Sequence, residues 1–134
     1  MKLAFIGCGR IASVHAKSVI KYVSDTKHPI EIVALIDTNL ESAEEFKSKY
    51  NLSCKIFTQL EEATQETALD SVIISVPHYL HEDLALRAFS QKLNVLLEKP
   101  MAHTLDSAHR ILDQSRRSDN IFMIAENSQY WPEI

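Results

Sequence analysis

Short apolar runs alternate with amphipathic stretches from one end of the chain to the other. Lys2 to Ile6, Glu31 to Ile36, Ser71 to Val76, Asn94 to Leu97 and Ile121 to Ala125 are brief and β-branched or almost continuously apolar, the pattern of strands buried on both faces. Lys55 to Phe57 is a weaker candidate. Between these runs, Ile11 to Val23, Leu40 to Tyr50, Leu80 to Phe89 and Leu105 to Arg116 place apolar residues three or four apart with a polar opposite side, as helices lying on a core do. Leu84 with Ala88, and Ala85 with Phe89, show the spacing. Asp37, Thr38 and Asn39 offer capping oxygens ahead of the Leu40 helix, and Thr104 offers one ahead of Leu105. Pro29, Pro77 and Pro100 fall outside the regular elements. Parallel strands need crossover connections, and right-handed crossovers place helices on both faces of the sheet. The series therefore predicts an α/β fold, a doubly wound parallel sheet with strand order 3-2-1-4-5-6.

Composition narrows the class. At 134 residues, 46% apolar and 24% charged, the chain has enough apolar surface for one core, so residues 1–134 are expected to form a single domain. Disorder, collagen-like repetition and coiled coil do not fit, because glycine is scarce and no heptad pattern persists. A net charge of -4 gives no basic footprint, so neither nucleic acid nor a membrane surface is an expected partner. Cys8 and Cys54 are too few for a disulfide framework and sit beside apolar residues, which points to a reducing, cytoplasmic setting. The segment Met1 to Cys8 imitates a lipoprotein signal, but Arg10 leaves its apolar stretch too short. No apolar run approaches the ~20 residues that span a bilayer.

Glycine usage is the most pointed signal. At an average of about 7%, a chain of this length would hold about nine glycines, yet it holds two, both in the tripeptide Gly7-Cys8-Gly9. With Arg10, Ile11 and Ala12 they form Gly-x-Gly-x-x-Ala where the first strand hands over to the first helix. In that context Gly7 permits a tight turn, Gly9 lets the main chain approach a pyrophosphate, and Ala12 keeps helix and strand close. The helix N-terminus then faces the phosphates with free N–H groups. The competing interpretation is a plain tight turn. Asp37, at the end of the second strand, stands where a dinucleotide site needs an acceptor for the adenosine ribose hydroxyls. It lies thirty positions beyond Gly7, a spacing attributed to a long connection from Ser24 to Pro29. A carboxylate there repels a 2′-phosphate, and Thr38, Asn39 and Leu40 supply no cation, so NAD is favoured over NADP. Alternatively, Asp37 merely caps the following helix.

Three further segments carry a family resemblance. Ser75-Val76-Pro77-His78-Tyr79-Leu80-His81, Glu98-Lys99-Pro100 and Ala125-Glu126-Asn127-Ser128-Gln129-Tyr130-Trp131-Pro132 resemble the turns of the glucose-fructose oxidoreductase, inositol dehydrogenase and rhizopine-catabolism (Gfo/Idh/MocA) group of NAD(P)-dependent oxidoreductases. The resemblance covers the N-terminal Rossmann domain of a typical member and stops where the substrate domain would begin. It implies that Val76, Pro77, His81, Glu98 and Lys99 join Gly7, Cys8, Gly9, Arg10, Ile11, Ala12 and Asp37 in holding the cofactor. It also implies that Lys99 is the catalytic residue, assisting proton movement as hydride leaves carbon. Without the resemblance, Lys99 is a surface lysine paired with Glu98 and His81 a polar residue on a first helical turn. Where many relatives carry arginine, this chain has Gln129.

The His78-x-x-His81 spacing lacks further ligands nearby, so no metal is expected. Cys8 has no neighbour that would make it a nucleophile. The expected function is the NAD-binding domain of an oxidoreductase acting on a secondary alcohol of a sugar, cyclitol or similar polyol. The isolated chain is expected to turn over poorly, because half the pocket is missing. The alternative is a stand-alone, non-catalytic dinucleotide-binding or protein-interaction module. The large apolar groups of Tyr130, Trp131 and Ile134 suggest truncation or a protein partner, a homo-oligomer among the candidates.

Overall fold

A computed structural model describes residues 1–130 and Pro132. Of the apolar tail expected to meet more protein, Trp131 and Ile134 lie outside the described residues. Six strands form one all-parallel sheet: β1 (Lys2–Ile6), β2 (Glu31–Ile36), β3 (Lys55–Phe57), β4 (Ser71–Ile74), β5 (Asn94–Leu97) and β6 (Phe122–Ile124). Their order is β3-β2-β1-β4-β5-β6, as the alternating pattern predicts. Five helices connect them: α1 (Arg10–Thr26), α2 (Leu40–Lys49), α3 (Leu60–Glu66), α4 (His81–Ser90) and α5 (Leu105–Arg117).

The period-2 alternation of the strands divides the core in two. Leu3 and Phe5 of β1 point to one face, where α1 and α2 contribute Ala12, Ala16, Ala43 and Phe46. Ala4 and Ile6 point to the other, which Leu60, Ala63, Ala85, Phe89 and Ile111 of α3, α4 and α5 cover. A strand between two helical layers must be apolar on both sides, which is why these runs do not alternate with polar residues. Cys8 and Cys54 are free and buried within the α1–α2 layer. No helix among the described residues is long and apolar enough to cross a membrane.

Several boundaries differ from expectation, each for a local reason. α1 continues to Thr26, where the Thr26 hydroxyl donates to the Tyr22 carbonyl (2.8 Å) and Lys21 pairs with Asp25 (2.6 Å). The wide spacing from Gly7 to Asp37 is therefore taken up largely by helix rather than by a long loop. β4 ends at Ile74 instead of Val76 because the chain turns away after Ser75, whose N–H still donates to Ile6 (2.9 Å). A helix not foreseen, α3, follows β3: Glu62 Oε2 accepts from the N–H groups of Thr58 and Gln59 at 3.3 Å each, closing its first turn. The expected cap at Thr104 is present, accepting from Ser107 N–H at 3.1 Å.

Candidate functional site

A cleft of about 380 Å³ opens at the carboxyl ends of β1, β2 and β4, where an open parallel sheet places its ligands. Gly7, Cys8, Gly9, Asp37, Val76 and Pro77 line it together, although the sequence scatters them over seventy positions. Arg10, Ile11 and Ala12 follow as the first turn of α1. Ala12 is fully buried against the sheet.

The two glycines are there for different reasons. Gly7 has φ +89°, and a Cβ on it would sit 2.5 Å from the Ser75 carbonyl oxygen and 2.9 Å from Val76 Cγ1. Both backbone conformation and contact with the end of β4 therefore demand glycine. Gly9 is the opposite: its φ is an ordinary -84° and a Cβ would meet no atom of the described residues within 4 Å. Among the described residues nothing requires glycine at that position, and the space in front of it is open. Gly9 is also the N-cap of α1, where no side chain caps the helix and no acidic residue occupies the first turn. The first N–H groups of α1 and its positive end thus face an open surface.

Asp37 does not cap α2, since Asn39 does so by accepting from Ser42 N–H at 3.2 Å. Its Oδ2 accepts from Cys8 N–H (2.8 Å) and its Oδ1 from Asn39 N–H (2.8 Å). The carboxylate thereby ties the glycine turn to the end of β2 while keeping lone pairs on the cleft. Burial, then the nearby Asp37 charge, push the Cys8 thiol up to about 12, so Cys8 contributes packing and a main-chain amide rather than a nucleophile.

Glu98 and Lys99 follow β5 at the adjoining edge. Their fixing partner is not legible in sequence: His15, on α1, meets Glu98 Oε1 through Nε2 at 2.7 Å. Glu98 Oε2 accepts from the N–H of Lys99 (3.0 Å). Both oxygens of Glu98 are thus used, and among the described residues Lys99 forms no ion pair with it. The exposed Lys99 side chain instead adds to the Ser128 contacts that hold the Glu126 carboxyl below its ordinary range. The Lys99-Pro100 peptide is cis.

His81, which the resemblance counts among the cofactor-holding residues, lies beneath the surface. It is 1% exposed, with Nδ1 2.9 Å from the Pro100 carbonyl and Nε2 3.0 Å from the Val76 carbonyl. Both nitrogens are spent on main chain, so His81 bridges the turn after β4 to the turn after β5. Among the described residues no three His, Cys, Asp or Glu side chains converge as metal ligands.

Over residues 1–126, a span that contains the glycine turn, the uncapped helix and the carboxylate at the next strand end, the chain matches the family described as oxidoreductase family, NAD-binding Rossmann fold (Gfo/Idh/MocA). The chain belongs to this family. Among curated members, it is 32% identical over 116 residues to a glucose-6-phosphate 3-dehydrogenase of Bacillus subtilis, covering 87% of this chain and 31% of that protein. It is 26% identical over 117 residues to an inositol 2-dehydrogenase of Arthrobacter, covering 87% and 33%. Among solved structures, myo-inositol dehydrogenase from Lactobacillus casei in complex with NAD(H) and myo-inositol superposes with TM-score 0.84 at 25% identity, over 98% of this chain and 38% of that one. The WlbA dehydrogenase from Chromobacterium violaceum, at 19% identity and TM-score 0.86, shares the fold over 96% of this chain and 36% of its own. The chain spans about a third of the length of the curated relatives it matches.

Proposed function

We propose that residues 1–134 are the dinucleotide-binding domain of a longer, NAD-preferring oxidoreductase acting on a secondary alcohol of a sugar, cyclitol or similar polyol. The observation that carries the reading is the clearance at Gly9: a space no protein atom fills, in front of an uncapped helix N-terminus. A diphosphate fits that combination, because main-chain N–H groups and the helix dipole both favour an anion there. Gly9, Arg10 and Ile11 would hold the diphosphate through their amides. Asp37 would accept from the ribose hydroxyls with the lone pairs not engaged by Cys8 and Asn39. Val76 and Pro77 wall the cleft on the side of β4.

Bound nicotinamide supplies the hydride donor or acceptor. Lys99 would hold or move the alcohol proton at Nζ, its main chain oriented by Glu98 and, through Glu98, by His15. The polyol class is supported by the relatives' substrates, inositol and glucose 6-phosphate. Buried free thiols at Cys8 and Cys54 suit a reducing, cytoplasmic compartment. Calorimetric titration of the chain with NADH tests the reading. Binding is expected, with Asp37→Ala weakening it about ten-fold or more through the loss of hydrogen bonds to a charged acceptor. Absence of heat for the folded wild-type protein would refute it.

A further inference from the structure

Sequence offers Asp37 no neighbouring cation, but the tertiary structure brings one. Arg87, on α4, lines the same cleft as Asp37 and Thr38. A guanidinium at the adenosine end is the group a ribose 2′-phosphate would recruit, since its planar fork suits phosphate oxygens. Here the fork is already taken. Arg87 Nε donates to Glu61 Oε1 at 2.8 Å and Nη2 to Glu61 Oε2, while Nη2 also reaches Gln59 Oε1 (3.1 Å) and Nη1 reaches Asp83 Oδ2 (3.2 Å). The Arg87 hydrogen bonds hold the Glu61 carboxyl below its ordinary range. Glu61 and Asp83 together outweigh the single charge of Arg87, and Asp37 adds a further negative charge to the same cleft.

We infer that Glu61 is a determinant of cofactor choice: by occupying the Arg87 fork it withholds from a 2′-phosphate the cation the cleft contains. Discrimination against NADP then depends on α3 as well as on Asp37. The inference rests on the dinucleotide reading above and extends it to a residue more than fifty positions from the glycine turn. The Glu61–Arg87 pair also ties α3 to α4, so a purely structural role is the competing account, and charge rather than contact must be varied.

Glu61→Gln keeps the size of the side chain and one acceptor for Arg87 while removing the charge. Wild type, E61Q and the double variant E61Q/R87Q are titrated calorimetrically with NADH and with NADPH, folding being checked by circular dichroism. E61Q is expected to tighten NADPH about ten-fold, the order of effect of removing one charge beside a phosphate at a partly exposed site. NADH affinity should stay within about two-fold, because NADH lacks the 2′-phosphate that Arg87 would contact. The gain should vanish in E61Q/R87Q and shrink as salt is raised. Asp83→Asn, which removes the other carboxylate on Arg87, should give a smaller gain in the same direction and carries the test if E61Q does not fold. Unchanged NADPH affinity, or equal changes for both dinucleotides, overturns the inference while leaving NADH binding intact. A wild-type protein that binds neither dinucleotide overturns the underlying reading and the inference with it.

Discussion

Replacing each glycine of the Gly7-Cys8-Gly9 turn by alanine should separate folding from binding, because the same methyl group meets opposite surroundings. At Gly7 an alanine would be held at φ +89°, which costs an L-residue ~1–2 kcal/mol. Its Cβ would lie 2.5 Å from the Ser75 carbonyl oxygen, and relieving that overlap by shifting the end of β4 costs a further ~1–3 kcal/mol. The total of ~2–5 kcal/mol is a large part of the ~5–15 kcal/mol that holds a domain folded. In urea this should lower the unfolding midpoint by about 1–3 M at a slope of ~1.5 kcal/mol/M. At Gly9 the backbone is ordinary and the new methyl touches no protein atom. A poorer N-cap and a less flexible unfolded chain roughly offset each other there, so stability should change by less than ~0.5 kcal/mol. Dinucleotide binding should suffer instead. Keeping two amides from a diphosphate removes ~1.5 kcal/mol each, or about 100-fold in NADH affinity. Paired urea melts and NADH titrations read both effects. A Gly9→Ala protein that melts early like Gly7→Ala, or that binds NADH as wild type does, would refute the claim that the clearance at Gly9 exists for a ligand.

Two further outcomes are expected. On the proposed function, Lys99→Ala in an oxidoreductase that carries this domain should lower kcat by at least ~100-fold, the usual scale of a lost general acid–base group. The loss should fall mainly on the chemical step, with a smaller effect on NADH affinity; unchanged turnover in steady-state kinetics would remove Lys99 from the chemistry. The α4–α5 contact should weaken in acid: hydrogen bonds from Arg110, then Ser107, draw the Glu82 carboxyl from 4.5 down to about 2. Because the folded value lies below the unfolded one, this contribution is complete above about pH 4.5 and is lost as the pH falls toward 2. Thermal melts of Arg110→Ala across that window should lose stability less steeply than wild type, and parallel curves would contradict the assignment.

Much of the candidate site was legible because its signals are local. The Gly-x-Gly-x-x-Ala turn falls between an apolar run and an amphipathic helix, and Asp37 ends the next run. α3 is not legible in sequence because Leu60–Glu66 is only seven residues long and mostly polar, too short to show a period. The Glu62 carboxylate behind Thr58 and Gln59 was the available clue, the spacing of a capping box. The burial of His81 is not legible in sequence, because its short-range surroundings are those of a polar first-turn residue. Its burial comes from Pro100 and Val76, which only the packing of two turns brings to it.

The sequence by itself determined the layering of this protein. Period-2 runs and period-3.6 stretches fix which side chains face the sheet, a parallel sheet must be wound through its helices, and glycine is confined to the one turn that needs it. Tertiary structure decided the pairings between crossovers: His15 with Glu98, Asp37 with Cys8, and Arg87 with Glu61 beside the cleft. These depend on the register of strands and the angles of helices separated by tens of residues. Backbone periodicity encodes which face a residue shows, and it does not encode which distant residue that face will meet.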